Sequence, residues 1–218
     1  MKRKTASFTG MRPIFTGSPS IVQGGFNLDV DGQKFRVGDV IPAGTLAIRD
    51  ETTRKVQVIK TAKVVEVDSE NAKKVTLYID EFFAPCFAVG ESVLKAGAVT
   101  GKFSAAPTIT AIDNGSRLDN TGNVYVIMLS AAISGLAADD VLVEVVASGE
   151  DAAERGKANS VTFRDYEVSE FETAVDVSAD TMQYALYERR VPPIPASQKD
   201  STGMFLSANP HVKLTQSY

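Results

Sequence analysis

Short β-branched apolar runs, separated by turns rich in Gly, Asn and Asp, fill the chain from residue 26 to residue 146. That spacing leaves little room for any architecture other than an all-β one. The runs predict strands at 45–49, 56–60, 63–67, 74–79, 98–103, 108–112, 124–130 and 141–147. Val124-Tyr125-Val126-Ile127-Met128-Leu129 and Val141-Leu142-Val143-Glu144-Val145-Val146 suit central strands, since branched and aromatic side chains pack well on a pleated surface. Asp31-Gly32 predicts a tight hairpin turn between two short runs, and residues 131–140 a short helix or a wide loop. The expected fold class is mainly β: a compact β-barrel or sandwich with room for an internal duplication, flanked by extended N- and C-terminal arms.

An internal echo runs through this region. Phe35-Arg36-Val37-Gly38-Asp39-Val40-Ile41-Pro42-Ala43-Gly44 recurs as Phe87-Ala88-Val89-Gly90-Glu91-Ser92-Val93-Leu94-Lys95-Ala96-Gly97. The shared pattern is Phe-x-Val-Gly-acid-x-apolar, then Ala-Gly, with one extra residue in the second copy. Two readings stand. One is a duplicated β unit of about fifty residues, in pseudo-repeats at about 35–82 and 87–130. The other is a pair of ordinary turns, because Gly-acid and Ala-Gly pairs are common at strand ends.

Outside residues 26–146 the pattern weakens. Residues 1–25 read as an extended N-terminal arm with isolated apolar residues. Residues 147–160, small and polar, read as a linker. Residues 161–191 read as a small strand and helix segment, with Ser178-Ala179-Asp180-Thr181 capping a short helix through Glu188. Residues 192–218, opening on Pro192-Pro193-Ile194-Pro195, read as an extended C-terminal tail.

Charge and residue usage exclude several functions. A net charge of −4 speaks against a sequence-independent hold on nucleic acid, which requires a basic face; Met1-Lys2-Arg3-Lys4 is too short a cluster. Cys86 is the only cysteine, lies in an apolar run and reads as a small buried hydrophobe. With His211 as the only histidine, a zinc site is nearly excluded and most nucleophile–base pairs are lost. No phosphate loop, dinucleotide fingerprint or nucleophile elbow occurs. The carboxylate pairs Asp29/Asp31 and Asp139/Asp140 read as solvated turns. The oxygen-rich stretch 113–123 lacks the ligand spacing of a calcium loop and reads as hairpin turns. No metal, cofactor or catalytic residue is therefore expected. Neither a membrane-crossing run nor a secretion signal is read, so a cytoplasmic site of folding is expected.

Phe35 through Leu46, with Val58-Ile59-Lys60-Thr61-Ala62-Lys63-Val64, resembles the capsid-proximal domain of bacteriophage head fibre proteins. Ala43-Gly44-Thr45-Leu46 and the hairpin after it are similar to small β-barrel head decoration proteins. The resemblance implies a non-enzymatic virion protein on the outside of the capsid shell. Its partners would be the major capsid protein and other head proteins, with homo-oligomeric or lattice-bound copies. No heptad or collagen-like repeat follows, so no fibre rod is expected, which shifts weight to an auxiliary capsid protein. The apolar residues of the arms, Phe8, Met11, Phe15, Pro193, Ile194 and Phe205, are the expected anchors on neighbouring subunits. The competing expectation is a non-catalytic, glycan-type ligand-binding module. It would use exposed aromatics, for which Tyr166, Tyr184 and Tyr187 are the candidates in a chain without tryptophan.

Overall fold

The computed structural model describes residues 13–21, 25–80, 82–113, 125–170, 174–177 and 184–217, and the backbone of 118–119 and 122–123. The first strands are β1 (Phe26–Leu28), β2 (Val40–Ile41), β3 (Leu46–Asp50), β4 (Lys55–Ile59), β5 (Thr61–Val67) and β6 (Lys74–Leu77). Next come β7 (Ser92–Lys95), β8 (Ile109–Asp113), β9 (Leu118–Asp119), β10 (Gly122–Asn123), β11 (Tyr125–Leu129), β12 (Val141–Ser148) and β13 (Asp151–Glu154). The last are β14 (Ser160–Val161), β15 (Tyr166–Glu167), β16 (Ala174–Val175), β17 (Leu186–Tyr187), β18 (Phe205–Leu206) and β19 (Asn209–Thr215). The mainly β fold expected from the alternating runs is the fold observed.

Two sheets curl. In the larger, the neighbours run β13-β12-β5-β6-β11-β8, and β7 lines the other edge of β12, because Val143 pairs with both Thr61 and Leu94. Its ends approach each other: Val93 N–H donates to Pro107 O (2.9 Å), Ile109 N–H to Glu91 O (2.8 Å) and Gly90 N–H to Ile109 O (2.7 Å). The barrel-like interior holds Ala62, Val64, Leu77, Ile109, Ile127 and Leu142, among others. The smaller sheet runs β14-β3-β4-β1-β16. Its ends meet at the Thr162–Val177 bridge, and Phe163 N–H donates to Asp176 O (3.0 Å). It encloses Phe26, Leu28, Ala47, Val56, Val58 and Val175. Closing the edges satisfies backbone groups that an open sheet would leave exposed.

A third apolar cluster lies outside both interiors. Leu46, Ile59, Val143 and Val145 meet Ile14, Phe15, Val191, Ile194, Leu206 and Leu214 there. Two expectations are corrected here. Residues 192–218 are no free tail: β19 pairs in parallel with β17 and antiparallel with β18. The fully buried Gln198 clamps the segment to the body. Its Oε1 accepts from Ala158 N–H (2.8 Å), and its Nε2 donates to Glu154 Oε2 (2.8 Å) and Gly156 O (2.8 Å). Residues 147–160 are no linker either, since they complete β12, form β13 and bury Ala152, Ala158 and Ser160. Ala152 and Ala158 pack in the same apolar cluster as Ile194, Leu206 and Leu214.

The remaining local differences have plain causes. No strand forms over 98–103, where Gly97 (φ +78°) and Gly101 (φ +89°) turn the backbone into the left-handed region. Asp31-Gly32 lies in a turn, but β1 pairs with β4 and β16 and not across a hairpin. Residues 131–140 form a wide loop. Leu186–Tyr187 is strand, and a single 3₁₀ turn covers Glu188–Arg190; positions 178–183 lie outside the described residues. If the C-terminal segment belongs to the core, Ile194→Ala will cost about 2–4 kcal/mol of unfolding free energy by urea titration. A loss below about 0.5 kcal/mol is what a loose surface tail would give.

Candidate functional site

The repeated motif folds twice into the same turn. In the first copy Asp39 N–H donates to Arg36 O (2.9 Å), and Arg36 N–H donates back to Asp39 Oδ2 (2.7 Å). In the second, Glu91 N–H donates to Ala88 O (3.3 Å) and Ala88 N–H to Glu91 Oε2 (2.7 Å). The glycine between must take positive φ, and Gly38 (+91°) and Gly90 (+87°) do. Each turn also grips one buried apolar residue from both sides: Val168 for Gly38 and Asp39, Ile109 for Gly90 and Glu91. The turns differ in exposure. Val37 is 65% exposed and Val40 44%, whereas Val89 is half-buried and Lys34 Nζ covers its turn by donating to Gly90 O (2.6 Å). The first copy thus offers a rigid, apolar-tipped turn to solvent.

A buried charge junction lies beside the second turn. Lys60, between β4 and β5, has a side chain with no exposure, and its Nζ sits 2.5 Å from Glu91 Oε1. The same Nζ donates to Lys34 O (2.6 Å) and lies 4.0 Å from the centre of the Phe35 ring, a cation–π contact. Glu144 projects from β12 on the same side as Leu142, and its N–H donates to Lys60 O (3.0 Å). Arg155 Nη2 meets Glu144 Oε1 at 2.5 Å, and Arg155 Nη1 donates to Gly32 O (3.1 Å). Gln33 completes the set, accepting from Val58 N–H (2.7 Å) and donating to Val58 O (2.8 Å) and, at 3.4 Å, to Glu144 Oε2. Burial pushes the Glu91 carboxyl up to about 7 against the downward pull of Lys60. Burial likewise raises the Cys86 thiol to about 12, and the side chain is packed in the interior.

The anchor residues expected from sequence are not gathered into one surface. Phe8 and Met11 lie outside the described residues. Phe15 (5% exposed) and Ile194 (6%) are spent in the molecule's own third cluster, Phe15 stacking on Phe163 at 6.3 Å. Their expected role as grips on another molecule is therefore corrected; an apolar side chain already buried has none of that surface left to contribute. Pro193 and Phe205 are half-buried. The three tyrosines are each half-buried: Tyr166 packs on the smaller sheet's core, Tyr184 against Gly17, and Tyr187 under Arg190 (4.3 Å). Asp29 and Asp140 are held in hydrogen-bonded turns, their carboxyls below the usual range through bonds from Gln57 and Lys95 respectively. Within the stretch 113–123, the backbone pairs 118–119 with 122–123.

Sequence reasoning passed over Lys60, Glu91, Glu144 and Arg155. A signal was present: Lys60 interrupts the run Val58-Ile59-Lys60-Thr61-Ala62, and Glu144 stands at an inward position of a strand otherwise suited to a core. A charge at such a position demands a buried partner.

Among the described residues no three of His, Cys, Asp and Glu are placed to hold a metal ion, and no helix is long and apolar enough to cross a membrane. No protein-family model matches the chain, and neither a curated protein nor a solved structure matches it. The junction makes its own prediction for stability. Lys60→Met and Glu91→Met will each cost about 3–5 kcal/mol, because each strands a buried group. The double substitution will cost clearly less than their sum; simple additivity in denaturant titrations would show that the two groups are not coupled.

Proposed function

We propose that this chain is a non-catalytic structural protein of a bacteriophage head, seated on the outside of the capsid as an auxiliary (decoration) protein or as the base of a head fibre. The observation that carries this reading is where the family-like segment lies. Phe35 through Leu46 contains the one copy of the repeated turn whose tip, Val37 with Val40, faces solvent. A turn fixed by Gly38, Asp39 and Val168 loses little conformational freedom on docking, so its apolar tip contributes binding energy efficiently. A small contact of this kind suffices when many copies bind a repeating shell. The major capsid protein is the partner in this reading, and the chain is made in the host cytoplasm before it joins the virion.

The test is co-sedimentation with heads of the encoding phage that lack this protein. The wild-type chain is expected to pellet with the heads at saturable stoichiometry. Val37→Asp is expected to weaken that binding by at least about tenfold, since docking would bury an unpaired carboxylate. A wild-type chain left in the supernatant, or a Val37→Asp chain that binds unchanged, contradicts the reading.

A further inference from the structure

Lys60 and Glu91 meet under conditions that favour reaction as well as attraction. We propose that Lys60 Nζ and the Glu91 side-chain carboxyl condense into an intramolecular isopeptide bond, a covalent modification built into the fold. The inference rests on the junction alone and holds whatever the chain assembles with. Amine nitrogen and carboxyl oxygen are 2.5 Å apart, and the two side chains are 0% and 2% exposed. Nζ is fixed by Lys34 O and the Phe35 ring, so the reactants are already oriented, which replaces a bimolecular encounter by a unimolecular step.

The chemistry balances without a co-reactant. A proton passes from the Lys60 ammonium to Glu91 Oε1 across the short contact, giving a neutral amine and a neutral acid, the pair a dry site tolerates best. The nitrogen lone pair attacks Glu91 Cδ. The oxygen that gains negative charge is Oε2, which already accepts the Ala88 N–H (2.7 Å), a donor placed as in an oxyanion hole. Oε1 then leaves as water, taking a second proton from the nitrogen. Glu144 is paired across the strands with Lys60, its N–H donating to Lys60 O (3.0 Å), and the relay of that proton is assigned to its carboxylate. Its Oε1 is held by Arg155, while its Oε2 has the long 3.4 Å contact with Gln33. One C–N bond forms, one C–O bond breaks and one water is released. Burial then keeps bulk water from the amide and opposes its hydrolysis. The raised affinity of Glu91 for its proton agrees with the neutral acid the step requires.

Mass spectrometry of the unfolded full chain tests this. The expected result is a mass one water below that of the sequence. Trypsin should fail to cut after Lys60, and fragment ions should join the Lys60 and Glu91 peptides. Lys60→Arg and Glu91→Ala should restore the full mass. Glu91→Gln should give the wild-type product mass by losing ammonia in place of water, and Glu144→Gln should slow bond formation. Because Asp31-Gly32 can also lose water by cyclising, the joined peptide decides. A wild-type chain cut normally after Lys60, or a water loss mapped to Asp31-Gly32 alone, overturns the proposal and leaves an ion pair. An undiminished rate in Glu144→Gln overturns the relay.

Discussion

The contact between Lys60 and Glu91 holds the place where the three apolar clusters meet. β4 and β5 are nearly one strand, and Lys60 is the residue between them. On its N-terminal side Val58 faces the smaller sheet's core and Ile59 the third cluster; on its C-terminal side Ala62 enters the larger sheet's core. An apolar residue at this crossing would satisfy burial but would take from Lys34 O and from Glu91 Oε1 the donor that Lys60 supplies. The charge costs desolvation, and its bonds offset that cost while tying a loop, a turn and a strand to one point.

From that point the rest of the architecture follows. The acid of the second turn is Glu91, one atom longer in its side chain than Asp39 in the first. That length lets it bond its own turn through Oε2 and reach Lys60 through Oε1. Asp39 bonds within its turn through Oδ2. The same seven-residue pattern thus serves as an inner staple in one copy and as an exposed tip in the other. The difference in exposure between Val89 and Val37 follows from what lies over each turn, Lys34 in one case and solvent in the other.

Strands β3 to β6, β8, β11 and β12 were legible because branched apolar residues cluster there between turn signals, whereas β7 was missed and the strand expected at 98–103 does not form. What escaped had weaker local signatures. Ala152 and Ala158 mark burial by being small, which in sequence looks like a linker. The C-terminal segment places Ile194, Leu206 and Leu214 in the core at irregular spacing, so no periodicity announces it, and it pairs with Leu186, which in turn bridges to Phe15, joining residues far apart in the chain. Gln198 is fully buried by bonds to residues about forty positions away, which no local pattern encodes. Phe15 and Ile194, chosen as anchors for being apolar in an apparent tail, belong to the interior.

The most direct test of the view that this junction couples the two curled sheets is native-state hydrogen exchange. Amides bonded within the smaller sheet, such as Val56 and Ala47, and within the larger, such as Val64 and Ile127, should exchange with a common opening free energy equal to that of global unfolding. Exchange of one sheet at a distinctly lower free energy than the other would show two independent units and contradict the central role given to Lys60 and Glu91.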